Sequence, residues 1–469
     1  MSTNVKPFED GKTANGADSG QVPDGDTIEG HVTTHDAVFG EITENGPNYR
    51  NVGWLGTAAL MMKTQIGLGV LGLPTVFHVL GIVPGVILLC IIGGITTWSN
   101  YIVGIFKIRH PEIYGIDDVG GLLFGRIGRE VLGICFCLFF TFVSGSALLS
   151  ISIAFNALSD HAVCTAVFVA VAAAIGFAFS SIRTLDRIGS LAWIGVSCII
   201  VAVFVVTVGV GVQDRPPSVP KNVQWRSDYE LFGHPSFIEA LSAISTIIFA
   251  YAGTPAFFAI AAEMRDPKQY MKSLIMCQTV ISIAYIVVGV VVYYYCGSFV
   301  ASPALGSAGP TIKKVSYGIG LPGLLISAIL LLHLPSKFVF VRILRGSKHL
   351  STNSFIHWAT WLGSTFSVTL VAYIIASAIP VFGQLVSLIG ALLGTLMSFQ
   401  PMGCMWLYDN WHSDRRYTPR WYVGVAWSVF VVISGTFLMI AGTYSTIVGI
   451  VDSTEKTSAW SCADNSNSS

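Results

Sequence analysis

One charge inside an apolar run constrains this chain more than anything else in it. Lys63 lies within Trp54–Phe77, WLGTAALMMKTQIGLGVLGLPTVF, a stretch otherwise long and apolar enough to cross a bilayer. At about 1.5 Å of rise per helical residue, the ammonium begins roughly 13 Å in from Trp54. Four residues later come Gly67, Leu68 and Gly69, followed by Gly72 and Pro74, a stretch that resists regular helix. Irregular backbone at membrane depth persists only where it lines a cavity. The two features together therefore predict a polar, ligand-sized site near the middle of the membrane. The alternative is a lysine that snorkels to the cytoplasmic face.

Composition removes several classes. Of 469 residues, 53% are hydrophobic and 11% charged, which describes a polytopic membrane protein rather than a soluble domain. The formal net charge is zero, so there is no basic footprint for nucleic acid. Nine cysteines are scattered, most of them inside apolar runs, in no pattern with histidine that suggests a metal; no metal or cofactor is expected. Cys164 and Cys296 both fall near the outer ends of their spans, which leaves a disulfide between them open. Residues 1–50 are rich in Gly, Asp, Thr and Asn, contain no signal-like apolar run, and read as a cytosolic, disordered tail.

A window of about 19 residues gives about eleven spans, near 55–77, 81–106, 131–157, 162–181, 189–212, 237–261, 273–297, 321–341, 355–379, 385–407 and 421–449. They form a transmembrane domain over 51–449, followed by a tail at 450–469. With the amino terminus inside, the cytosolic side holds 18 of the 26 Lys and Arg and the outside holds six, which fixes the expected orientation. An odd number of spans then puts the carboxyl-terminal tail, with its sequon Asn467-Ser468-Ser469, outside.

Span 6 repeats the logic of span 1. Its segment STIIFAYAGTP ends in Gly253-Thr254-Pro255, where proline removes a donor and glycine lowers the cost of unwinding. Spans 1 and 6 each open a set of five, with span 11 left over. Because five is odd, the two sets enter from opposite sides. Paired interruptions at matching places in inverted repeats point to a transporter site between them. At the first break, N–H groups of Gly67, Leu68 and Gly69 can cradle a carboxylate. At the second, carbonyls of Phe249, Ala250 and Tyr251 can accept from an ammonium. Donors for an anion beside acceptors for a cation describe an α-amino acid. Ser144 and Gly145 on span 3, with Ala250, Ala252 and Gly253, leave volume, while Phe249 and Tyr251 offer aromatic faces. No acid lines this set, so neutral substrates follow, bulky and aromatic ones included.

Two motifs, KTQIGLGVLGLP in span 1 and EMRDPKQY after span 6, resemble the amino acid/auxin permease family of the amino acid–polyamine–organocation group. The likeness runs from about Tyr49 to the end of span 11, and NYRNVGW is similar to fungal members that act as neutral amino-acid permeases. The resemblance implies an all-α, five-plus-five inverted-repeat fold of the leucine-transporter type with broken helices 1 and 6 and alternating access. It carries the substrate contacts onto Ile66, Gly67, Leu68 and Gly69 and onto Phe249 to Gly253. The family's sodium-coupled branch places a neutral polar residue at the position of Lys63, where it helps to ligate sodium, whereas proton-coupled relatives carry lysine there. Proton symport is the coupling this implies. Lys63 then either carries the proton itself or stays charged in sodium's place while another group titrates.

Two further residues are candidates for coupling. Glu263 matches the family's acidic position at the inner end of span 6, where it can latch a gate or simply sit exposed at a helix end. His333, near Pro335 and Lys337 in span 8, can couple to pH or be a satisfied membrane histidine. An enzyme is not expected, because within the spans there is no H-x-x-x-H, paired aspartates or G-x-S-x-G. The expected function is import of neutral amino acids with protons across the plasma membrane, with membrane lipid as surroundings. A sensor or exchanger on the same scaffold is the alternative.

Overall fold

A computed structural model of the chain describes residues 52–182, 185–217, 219, 224–344, 347, 349, 354–412, 416–454 and 459–466, with 32–36, 40–43, 185–190 and 453–454 by backbone alone. It divides into residues 1–48 and 49–469. In the first unit, β1 (Val32–Asp36) pairs antiparallel with β2 (Gly40–Thr43), with Asp36 opposite Gly40. That ribbon stands where a tail without structure was expected; the rest of that expectation lies outside the described residues.

The second unit is helical. The first apolar run forms α1 (Trp54–Ile66) and α2 (Gly69–Leu80), parted at Gly67-Leu68 and bent by 48°. There follow α3 (Ile82–Arg109), α4 (Ile116–Ser159), α5 (Thr165–Ser180) and α6 (Leu185–Val212). The second interrupted run is α7 (Phe237–Tyr251) and α8 (Thr254–Ala262). Ala252 leaves helical geometry there at ψ 43°, and Pro255 sits in the first turn of α8, where its missing donor costs nothing. At the start of α7, Ser236 and Glu239 cap each other: the Ser236 N–H donates to the Glu239 carboxylate at 2.8 Å, and the Glu239 N–H donates to Ser236 Oγ at 3.3 Å. Such a box stabilises a helix start by about 1 kcal/mol.

After these come α9 (Tyr270–Cys296), α10 (Pro310–Leu344) and α11 (Phe355–Ala378). The next span is segmented into α12 (Phe382–Ile389), a π turn at Gly390–Gly394, α13 (Thr395–Ser398) and α14 (Gln400–Trp411). The last helix is α15 (Pro419–Thr454). Among the described residues nine spans are long and apolar enough to cross a bilayer, and the bent pair makes a tenth. The remaining expected span, 162–181, is α5, whose 16 residues cover about 24 Å, less than the hydrocarbon core of about 30 Å.

The two broken runs lie at the centre. Of the apolar window in α7–α8, 83% is buried, against 17% for α15, so α7–α8 forms the bundle's interior and α15 its lipid-facing edge. The pair α1–α2 packs on α7 and α9, while α10 packs on α6 and α4.

The structure pairs Cys164 with Cys462, not with Cys296. Cys296 is buried, its Sγ 3.6 Å from the Ser307 carbonyl oxygen. Residues 459–466 cause the difference, because they fold back over one end of the bundle. Thr165 Oγ1 donates to the Ala463 carbonyl at 2.6 Å, Asn156 Nδ2 to Asn465 Oδ1 at 2.7 Å, and the Trp460 N–H to the Ser377 carbonyl at 3.0 Å. Lys313 Nζ caps this by donating to the Ser466 carbonyl.

Candidate functional site

Lys63 sits in the last turn of α1 and is only 3% exposed. Its ammonium stays within the bundle. Nζ donates to the carbonyl of Gly323 on α10 at 3.0 Å, and Ser327 Oγ donates to the same oxygen, also at 3.0 Å. Glycine at 195 on α6 makes the space, since a Cβ there would meet Lys63 Nζ and Cε at 2.9 Å. The Lys63 side chain is therefore held between α1, α6 and α10.

Beside it, a small cavity lies between the two breaks. The first break contributes Lys63, Thr64, Gln65, Gly67, Leu68 and Gly69; the second contributes Phe249 and Ala252. Phe139, Phe140 and Val143 of α4 form one further wall, and Ser327 and Leu331 of α10 another. The breaks touch directly: a Cβ on Gly69 would stand 2.6 Å from Ala250 Cα. Because α2 starts at Gly69, the N–H groups of Gly69 and Val70 lack partners in the helix and suit an anion, while the Leu71 N–H donates to the Leu68 carbonyl at 3.2 Å. Three carbonyls of the second break each accept one hydrogen bond. Phe249 accepts from the Ala252 N–H at 3.0 Å, Tyr251 from the Gly253 N–H at 2.8 Å, and Ala250 from the Tyr285 hydroxyl at 2.8 Å. Among the described residues, no Asp or Glu lines the cavity.

Of the residues singled out from sequence, Lys63, Gly67, Leu68, Gly69, Phe249 and Ala252 meet at this cavity. Ile66 is buried without lining it, and Gly253 packs against Thr64 and Gln65. Ala250 supplies backbone against Gly69. Tyr251 points away, its hydroxyl 2.9 Å from Ser282 Oγ and its ring against Gly93 of α3 and Tyr285 of α9. Ser144 donates to the Phe140 carbonyl at 2.7 Å, and Gly145 faces α11, where a Cβ would meet Ile375 at 3.0 Å and the Ala372 carbonyl at 3.1 Å. The cavity face of α4 is instead 139, 140 and 143, one turn earlier.

Glu263 caps the end of α8. Its carbonyl accepts from the Val52 N–H at 3.3 Å, and the Arg265 N–H returns to the Val52 carbonyl at 3.0 Å, tying the segment before α1 to the end of the second broken run. His333 faces α5 and α11: its Nδ1 is 3.3 Å from the Ser180 carbonyl oxygen and its ring lies edge-on to Trp361. It does not line the cavity, and the anchor of Lys63 at Gly323 is ten residues away along α10, about 15 Å.

Sequence reasoning passed over Gln65. It is 2% exposed, and neither its Oε1 nor its Nε2 has a hydrogen-bond partner among the described residues. The available signal was a second polar group two residues from Lys63 in the same apolar run. No group of three or more metal-binding side chains occurs among the described residues.

The model of a family described as transmembrane amino acid transporter protein matches residues 50–448. The chain is 33% identical to a protein of Fusarium pseudograminearum described as a transmembrane transporter, with 96% of each chain covered. It is likewise 33% identical to the N amino acid transport system protein of Neurospora crassa, over 76% of this chain and 77% of that one. In three dimensions it is similar to a sodium-coupled sialic acid symporter solved substrate-bound and outward-open. The TM-score is 0.51 at 12% identity, covering 86% of this chain and 91% of that one.

Proposed function

The chain belongs to the transmembrane amino acid transporter family, and from that premise we propose that it imports neutral aliphatic and aromatic amino acids by proton symport. Its helices fold as in transporters of the leucine-transporter type. The observation that carries the proposal is the cavity between the two breaks, walled by Phe139, Phe140, Val143, Phe249 and Leu331, free of acids among its described lining, with an ammonium at its edge. Aromatic and aliphatic walls favour an apolar side chain, and an unpaired charge brought into such a wall would lose its hydration without compensation. Lys63, tied to the Gly323 carbonyl, supplies a fixed positive charge between α1, α6 and α10. That charge stands in for a coupling sodium, which leaves the proton gradient as the driving force. In this reading the amino terminus and the lysine- and arginine-rich loops face the cytosol, and the membrane is the plasma membrane.

The test is uptake of radiolabelled leucine and phenylalanine in cells lacking their own transport, at pH 5 and pH 7.5, with and without sodium. Uptake is expected to be higher at pH 5, indifferent to sodium and abolished by a protonophore. Leucine, phenylalanine and alanine should compete with one another, while lysine, arginine, aspartate and glutamate should not. Strict sodium dependence at constant pH would overturn the coupling. Displacement of leucine by arginine or glutamate as readily as by phenylalanine would overturn the selectivity.

A further inference from the structure

We propose that Gln65 is the side-chain clamp for the zwitterionic head of the substrate, with Oε1 accepting from the α-ammonium and Nε2 donating to the α-carboxylate. This rests on the amino-acid reading of the cavity given above. Thr64 Oγ1 donates to the Met61 carbonyl at 2.8 Å, and Lys63 and Ser327 both donate to the Gly323 carbonyl. Gln65 is the polar side chain of the cavity wall whose donor and acceptor both lack partners among the described residues. A buried amide is expected to have partners, and one left without them has a reason.

Its position says which part of a ligand it meets. Gln65 lies in the last turn of α1, two residues before the first break, and its Cγ lies 2.8 Å from where a Cβ on Gly253 would stand. Its stem is thus pinned against the second break. The aromatic and aliphatic walls belong to α4, α10 and Phe249, so the head of an amino acid belongs at the breaks and its side chain against those walls. An ammonium there needs acceptors, and the Phe249, Ala250 and Tyr251 carbonyls, each already taking one hydrogen bond, keep one lone pair apiece. Gln65 Oε1 has both lone pairs free. A carboxylate drawn to the start of α2 at Gly69 then lies within reach of Nε2, which adds a donor where the helix start already favours an anion.

The side chain selects, in consequence, for molecules that carry both a free α-amine and a free α-carboxylate. Gln65→Leu removes both contacts, each a hydrogen bond to a charged group, and is expected to weaken every amino-acid substrate by about 100- to 10,000-fold, leucine and glutamine alike. Gln65→Glu keeps the acceptors and replaces the donor by a repelling oxygen. It should lose amino acids similarly while gaining at least tenfold in relative affinity for isoamylamine and phenethylamine, the decarboxylated counterparts of leucine and phenylalanine.

The experiment is competition by these amines and by leucine, phenylalanine and glutamine against labelled leucine binding to purified wild type, Gln65→Leu and Gln65→Glu, each first shown to be monodisperse. Uniform loss in Gln65→Leu with a gain of amines in Gln65→Glu supports the clamp. Selective loss of glutamine with leucine and phenylalanine retained would overturn it, because Gln65 would then read the substrate's side chain. Unchanged affinities in both variants would overturn it equally. Should wild type bind no α-amino acid, the amino-acid reading itself falls, a result distinct from failure of Gln65 alone.

Discussion

Where α2 meets α7, the backbones approach so closely that only glycine fits, and Gly69→Ala tests whether that contact matters for transport. A Cβ at 69 would stand 2.6 Å from Ala250 Cα, 3.0 Å from Ala250 Cβ and 3.1 Å from the Ala250 carbonyl oxygen. Carbon atoms rest at about 3.5–4.0 Å, so the two breaks must part by roughly 1 Å. The obstructing atoms are largely backbone and cannot rotate aside. Ala250 is also held from its far side, where the Tyr285 hydroxyl donates to its carbonyl at 2.8 Å. Overpacking of this kind costs about 1–3 kcal/mol, and the better helix propensity of alanine returns up to about 1 kcal/mol of it. The remainder, up to about 2 kcal/mol, corresponds to a loss in apparent affinity of up to about 30-fold. Initial-rate uptake over a range of leucine concentrations measures it, with Gly94→Ala as the control. A Cβ on Gly94 meets nothing within 4 Å, so that variant should match wild type or gain slightly in stability. If Gly69→Ala transports as well as Gly94→Ala, the contact between the breaks is not part of the working site.

Ala252→Leu narrows the cavity and should penalise phenylalanine and tryptophan before alanine and serine in competition assays, whereas Gly145→Leu should lower the amount of folded protein without reordering substrates, because it collides with α11. Replacing Lys63 by Met keeps length and removes charge; accumulation against a gradient should vanish while exchange of bound leucine persists, and normal accumulation would refute a coupling role for the ammonium. Cys462→Ser, or a membrane-impermeant reductant on wild type, should release residues 459–466 from the end of the bundle, read as faster proteolysis of that segment and lower thermal stability; equal protection in both states would refute the tether. Burial pushes the Asp228 carboxyl up, but hydrogen bonds from the Ser298 hydroxyl and from its N–H at 2.8 Å outweigh this and hold it below the ordinary carboxylate range. A depressed carboxylate stabilises the fold above its unfolded value of about 3.9 and loses that contribution only as pH falls through the lower folded value. Asp228→Asn should therefore leave the ratio of uptake at pH 5 to that at pH 7.5 unchanged, and a collapse of that ratio would place part of the pH response in this loop.

The parts of the site legible in sequence are those set by the backbone of one segment. A lysine inside an apolar run, glycines four and six residues on, and proline two residues after Gly253 all act locally, and both interruptions stand where they were expected. What a single segment does not encode is which side of a helix its neighbours take. Ser144 and Gly145 read as cavity-forming because they are small, yet Gly145 is small because α11 crosses there, and the cavity takes the larger Phe139, Phe140 and Val143. Tyr251 was read as an aromatic face for substrate, but Gly93 on α3 and Ser282 on α9 make a slot on the opposite side that accepts its ring and hydroxyl. The same holds for hydrogen bonds. Unwinding at Ala252-Gly253 frees carbonyls in principle, and a hydroxyl 35 residues away in sequence, Tyr285, takes one of them. Each carbonyl so bonded keeps one lone pair, whereas Gln65, at the end of α1, has neither polar atom bonded among the described residues.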